Sequence, residues 1–358
     1  MTRNLLRFPA LGRALVVGAV VALATPGTAS ANTVAVTVKS PGATLGPTTS
    51  SSSISTSAQC TSGLISGGGI NQAIGTGAGV NGNRVLGTEP SPNGSTEYTG
   101  STGVVGTDVA YWIAKGGSGG QINSSFSTTP YALCFTSSLI NHTQVVMNKV
   151  NAPTSGTTAG LVTATCPANT RLLGGGALVT PGDTGSFKPI AGFPTFNNSA
   201  HGFGQKAAAD GETNPDSWTA VGWDNNANAS NQTFAYAICS GNGIGVSGVT
   251  VKVRHHDVSG PNTGSTGQTA TATCGGGDGK LVSGGAAISG GNVTTTNFTG
   301  PGSGGDHLNG SFPSDSSGNP VSDGTSTAAS WTAFAHTGGQ ASANNHTDVW
   351  ALCADDGV

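Results

Sequence analysis

The sequence predicts an all-β protein of three homologous, disulfide-linked units, and three observations predict it. One set of anchors recurs three times in the same order, helical periodicity is absent throughout, and the composition suits a turn-rich β frame. The middle copy opens Cys166-Pro167-Ala168-Asn169-Thr170-Arg171-Leu172-Leu173-Gly174-Gly175-Gly176-Ala177, passes Trp218-Thr219-Ala220 and closes at Tyr236-Ala237-Ile238-Cys239. The first copy has Cys60, Leu64-Ile65-Ser66-Gly67-Gly68-Gly69, Trp112-Ile113-Ala114 and Tyr131-Ala132-Leu133-Cys134. The third has Cys274, Leu281-Val282-Ser283-Gly284-Gly285-Ala286, Trp331-Thr332-Ala333 and Trp350-Ala351-Leu352-Cys353. First cysteine to tryptophan spans 52, 52 and 57 positions, and tryptophan to second cysteine 22, 21 and 22. Spacing held this closely marks a repeated structural unit. Only 8% of the 358 residues are charged and 59 are glycine, so polarity comes from hydroxyls and amides. With 35% hydrophobic residues, the chain has enough apolar material to fold.

In chain order, residues 1–31 read as an export signal. Arg3, Arg7 and Arg13 form its positive start, Ala14 to Ala24 its apolar run, and Ala29-Ser30-Ala31 its cleavage site. The apolar run is shorter than the twenty or so residues of a spanning helix, and no later stretch is long enough, so no membrane span is expected in the mature chain. Without this segment, ten basic residues face 16 acidic ones, a net charge of −6. The remaining cations stand singly except Lys252 and Arg254, which disfavours nucleic acid as a partner.

Each unit then begins with an alternating strand: Val34-Ala35-Val36-Thr37-Val38-Lys39, Val145 to Val150, and Val249 to Arg254. That sets the units at 32–137, 138–242 and 243–358. A Ser/Thr/Gly/Pro-rich connector leads to the first cysteine. The apolar pairs Leu64-Ile65, Leu172-Leu173 and Leu281-Val282 follow as buried strands, which their glycines end or bulge; in a three-fold repeat such glycines let strands pack near a common axis. The middle of each unit is variable and rich in turns, with Glu89-Pro90, Phe193-Pro194 and Phe312-Pro313 in equivalent places. Two strands carrying Trp-x-Ala and aromatic-Ala-x-Cys close the unit.

Matched cysteine positions select the pairs Cys60–Cys134, Cys166–Cys239 and Cys274–Cys353, which suit an oxidising compartment. Each closes a loop worth roughly 4 kcal/mol on chain-entropy grounds. Each unit has sandwich size, so three sandwiches in tandem are the first expectation. A single closed prism of pseudo-three-fold symmetry is the alternative.

Chemistry-bearing motifs are scarce. Gly116-Gly117-Ser118-Gly119-Gly120 matches the hydrolase elbow string but lacks a following helix. His255-His256-Asp257 sits on a strand, where neighbours point to opposite faces and do not share a metal. His142, His201, His307, His336 and His346 read as loop residues. Glycine-rich stretches near Asp278 and Asp306 lack the tandem period of calcium-binding repeats. No catalytic residue, metal ligand or cofactor is assigned. Trp112, Trp218 and Trp331 are core anchors, whereas Trp223 lies outside the repeat pattern and Trp350 replaces a tyrosine, which makes these two the candidates for exposed, ligand-binding aromatics.

The anchors of residues 166–177, with Trp-Thr-Ala and Tyr-Ala-Ile-Cys, resemble a repeat of exported, mostly uncharacterised proteins of high-GC Gram-positive bacteria. The likeness is strongest in the second unit; Thr61 replaces the proline in the first, and Gly275-Gly276-Gly277 follow the cysteine in the third. It brings no catalytic residues. A looser analogy, on repeat number alone, is the three-fold β-prism of vitelline outer-layer proteins and some lectins. The expected function is a non-enzymatic, secreted surface component, structural or adhesive, that self-associates or binds a cell-wall polysaccharide. The alternative is a carbohydrate-binding protein, and a secreted hydrolase ranks last.

Overall fold

The strands of each unit are divided between two sheets, and this division decides the architecture. The computed structural model describes residues 33–73, 82–122, 125–155, 158–182, 186–241 and 248–357, so the expected signal at 1–31 lies outside the described residues. The first unit supplies β1 (Ala35–Lys39), β2 (Thr44–Leu45), β3 (Ser53–Gln59), β4 (Leu64–Ala73), β5 (Asn83–Ser91), β6 (Gly103–Thr107), β7 (Tyr111–Ser118) and β8 (Ser127–Thr136). The second supplies β9 (Thr143–Val150), β10 (Thr158–Thr165), β11 (Leu172–Thr180), β12 (Lys188–Thr195), β13 (Ser217–Asp224) and β14 (Gln232–Ser240). The third supplies β15 (Thr250–Ser259), β16 (Gly267–Thr273), β17 (Lys280–Ser289), β18 (His307–Ser314), β19 (Ser330–His336) and β20 (His346–Asp355).

Three antiparallel sheets result. One runs β1-β8-β4-β18-β19-β16, with β2 also on β8; the second runs β3-β7-β5-β11-β14-β9-β6; the third runs β10-β13-β12-β17-β20-β15. Two sheets thus join four strands of the first unit to three of another, the remaining sheet joins three strands of the second unit to three of the third, and the last unit pairs back onto the first. The all-β class and the three disulfide-linked units are as expected. The tandem-sandwich arrangement is corrected to the closed prism, because sandwiches in a row would keep each unit's strands in its own sheets. The physical reason lies at the seams, where Ile70 pairs with Ser311, Ala177 with Thr88, and Ala286 with Gly192.

The repeated glycines make those seams. A Cβ on Gly69, Gly176 or Gly285 would come within 2.3 Å of a carbonyl oxygen of the neighbouring unit's strand, on Ser311, Thr88 and Gly192 respectively. The glycine before each makes room for its own unit's tryptophan: a Cβ on Gly68, Gly175 or Gly284 would lie within 2.4 Å of the Trp112, Trp218 or Trp331 ring. No side chain fits at either place, so Gly-Gly is required for packing. The strands bulge just ahead, between Ile65 and Gly67, Leu172 and Gly174, and Leu281 and Ser283, and then run on instead of ending.

At the axis the third unit departs from the pattern. Cβ atoms on Gly67 and Gly174 would fall 2.1 and 2.3 Å from the Ser283 hydroxyl. Two glycines therefore leave space for one serine from the equivalent place in the third unit.

The disulfides form as the spacing requires, with S–S lengths of 2.03, 1.97 and 2.06 Å. Cys60 follows β3 and bonds to β8, Cys166 follows β10 and bonds to β14, and Cys274 follows β16 and bonds to β20. Each bond consequently joins two different sheets, and the three together tie all three corners. Three disulfides belong with a non-cytoplasmic, oxidising compartment. Among the described residues no helix is long and apolar enough to cross a membrane.

Candidate functional site

The strands β5, β12 and β18 carry a basic residue in register at or next to their first position. Arg84 pairs with Gly117, Lys188 with Trp223 and His307 with His336, each one residue pair before a pair that precedes a bulge. Being equivalent on a closed prism, the three side chains come together at one end, where they line a cavity of about 340 Å³. The rest of its wall is largely backbone, from Gly82, Gly119, Gly120, Gly304, Gly305, Gly338 and Gly339, with Gln121, Ser186 and Asn225. All three units contribute.

All three basic side chains are buried, at 7, 3 and 3% exposure, which is costly for charge. Burial lowers Arg84 to about 10, against the pull of Asp224. Burial lowers Lys188 to about 7, and the nearby Arg84 charge pushes the same way while Asp306 and Asp224 oppose it. Burial brings His307 down to about 3, with further repulsion from Lys188, His336 and Arg84. The mutual repulsion places the three groups within electrostatic reach of one another.

Their hydrogen bonds set their protons. Lys188 Nζ donates to the Gly304 carbonyl at 2.7 Å and to Ser186 at 3.2 Å. His307 Nδ1 lies 2.7 Å from the Gly305 carbonyl and must donate to it, which leaves Nε2 as the basic nitrogen. That Nε2 is buried and has no partner among the described residues. Two carboxylates provide compensating charge nearby. Asp224 accepts from Ser186 Oγ, Asn226 N and Asn231 Nδ2, and Asp306 from Ser303 N, Ser342 Oγ and Asn345 Nδ2. Such a cavity presents basic side chains from all three units to a small anionic group.

The residues expected to bind ligand do not reach the surface. Trp350 is fully buried, and its Nε1 donates to the Ala208 carbonyl at 3.0 Å. It takes the place of Tyr131 and Tyr236 in the core, with its ring tilted against Phe193 at a centroid distance of 5.6 Å. Trp223 is 9% exposed, and a Cβ on Gly300 would touch its ring at 2.2 Å, so a loop of the third unit covers it. Both are core residues, and the expectation that they are exposed is corrected. Among the described residues the strongly exposed aromatic is Phe203, 64% exposed and held at φ 54°, beside the 3-10 turn Ser199–His201.

The other motifs resolve as structure. Ser118 of the Gly-x-Ser-x-Gly string is buried in β7 and donates to the Thr49 carbonyl. His255 Nε2 is 3.0 Å from Asp348 Oδ1, while exposed His256 turns to the Thr271 carbonyl. Ser289 donates to the same Asp348 carboxylate, so serine and histidine share an acceptor and form no nucleophile–base pair. Asp278 is held by Arg254 through both oxygens and by Lys252 at 2.9 Å. The Arg254 hydrogen bonds place its carboxyl well below the usual range.

Sequence reasoning missed the axial cations because they stand alone in the chain. The signal was positional: Arg84, Lys188 and His307 each lie six residues before the proline shared by the units, Pro90, Pro194 and Pro313. A scan against protein-family models finds no match, and a search of curated proteins finds none similar to this chain.

Proposed function

We propose that the protein is a non-enzymatic, secreted surface component, a rigid prism that assembles with further copies of itself. One observation carries this reading. Strand β6 adds a seventh member to the second sheet, and the other two units place no strand there. Among the described residues it pairs with β9 alone, is uncharged from Gly103 to Thr107, and exposes Val104 by 53%. An uncharged edge strand with an exposed valine is a template for pairing, and proteins that must stay apart place charge there. The occupant we assign is the β6 edge of a second copy, since a neutral edge is complementary to itself. The three sheet-to-sheet disulfides and the sparse surface charge suit such a material.

The test is sedimentation of the oxidised mature protein over a range of concentrations. Concentration-dependent assembly that Val104→Lys abolishes, with the melting temperature unchanged, supports the reading. A protein that stays monomeric throughout overturns it.

A second reading, binding of a cell-wall polysaccharide, rests on Phe203. The residue holds a backbone conformation that costs a bulky side chain energy, and its N–H donates to the Asn198 carbonyl. An exposed ring fixed in this way offers a face on which a sugar can stack.

A further inference from the structure

We propose that the axial cavity is a binding site for a compact tetrahedral oxyanion, a phosphate group, gripped by Arg84, Lys188 and His307 with one arm from each unit. This site is independent of the β6 edge and of Phe203.

The symmetry of the fold supplies the first argument. A phosphate group has a three-fold axis, with three oxygens around it and a fourth along it. Laid on the prism axis, it offers one oxygen to each of three equivalent strand starts, β5, β12 and β18. The fourth oxygen then points out through the mouth, where an ester substituent would be carried. A planar carboxylate has two oxygens and leaves one arm unused.

The second argument is energetic. Lys188 is buried in the cavity wall, where its charge opposes the fold unless something negative meets it. Asp224 and Asp306 offset part of this, yet burial and repulsion still dominate at Lys188 and His307. An ion bound at the cavity would remove that penalty.

The third is the unpartnered Nε2 of His307, buried in the cavity wall. Against a phosphate monoanion it accepts the P–OH proton; against a dianion it carries that proton itself. In either case one proton is shared between nitrogen and oxygen. The glycines of the wall admit the ion close to the backbone. A Cβ on Gly119 would come 3.1 Å from Arg84 Nη1, within the space the guanidinium uses.

The experiment is titration calorimetry of the oxidised protein in a phosphate-free buffer, with inorganic phosphate, glucose 1-phosphate and acetate as probes. Phosphate should bind at one site per chain, at least about ten-fold tighter than acetate. The Arg84→Met and Lys188→Met variants should each weaken phosphate by about ten-fold or more, because each removes a charge-assisted contact. Each variant takes a counter-charge away from Asp224 or Asp306 and should melt lower than the parent, so binding is measured well below each variant's own melting temperature. The phosphate-induced rise in melting temperature should vanish in both. Tight binding of glucose 1-phosphate identifies an ester ligand, and its failure beside bound inorganic phosphate identifies the free ion; both support the site. Absence of phosphate binding, or acetate binding as well as phosphate, overturns it.

Discussion

Gly192 shows what one missing side chain costs at the axis. Trp112 Nε1 donates to Thr88 Oγ1 at 2.7 Å, and Trp331 Nε1 to Ser311 Oγ at 2.9 Å. The equivalent residue in the second unit is Gly192, so Trp218 Nε1 is buried without an acceptor, beside a void of about 30 Å³. A Cβ there would be 3.3 Å from that nitrogen and farther from everything else. Gly192→Ser should therefore supply the acceptor and raise stability by about 1 kcal/mol, read as a higher denaturant midpoint. Glu89 is the converse case. It occupies the place of Phe193 and Phe312, fully buried, with no partner on either carboxylate oxygen among the described residues. Burial, reinforced by Glu97, holds its carboxyl well above the ordinary value of 4.5. Since the folded value is the higher one, the unfolded chain gives up its proton first as pH rises. Stability should fall from about pH 4.5 upward until the folded group also ionises. Glu89→Gln should remove that slope, measured as urea midpoints across the window, and an unchanged slope would refute the assignment.

At the scale of elements, the strands legible in the sequence were those with large apolar or aromatic residues at fixed spacing. The three opening strands, the Leu-Leu-Gly-Gly strands and the two closing strands all stand where expected. Two sets were not legible. β3, β10 and β16 were hidden in Ser/Thr-rich connectors because their buried positions hold small residues such as Ala58, Ala164 and Ala272. β5, β12 and β18 were hidden in the variable middle, because inner positions that accept Leu86, Ile190 and Asn309 lack a common hydrophobic signal. Of these six, β5, β12 and β18 pair across units and carry the axial basic residues. The seams were thus written in glycines, whose role depends on a neighbour that no local pattern reveals. The candidate site was invisible for the same reason, since its residues meet only when the ring closes.

For the whole molecule, closure governs stability. No unit holds a complete sheet, and Thr33 at the first strand donates its backbone N–H to Asp356 of the last unit at 2.7 Å. Residues 138–242 expressed alone would leave β9, β11 and β14 without β5, and β12 without β17. That fragment should be either unfolded or trimeric, seen by near-ultraviolet dichroism together with sedimentation; a folded monomer would contradict the seam account.

The seam has a consequence for descent. A single ancestral unit could satisfy its edges only as a cyclic homotrimer, β11-type strand to β5-type strand around the ring. In a homotrimer every residue on the axis is present three times, and any change there is made three times at once. Joining the copies in one chain lifts that constraint. Ser283 can then stand opposite two glycines, and Arg84, Lys188 and His307 can become three different bases around one cavity. In one chain the three equivalent places differ, and that asymmetry is what allows such a cavity to tell one face of a ligand from another.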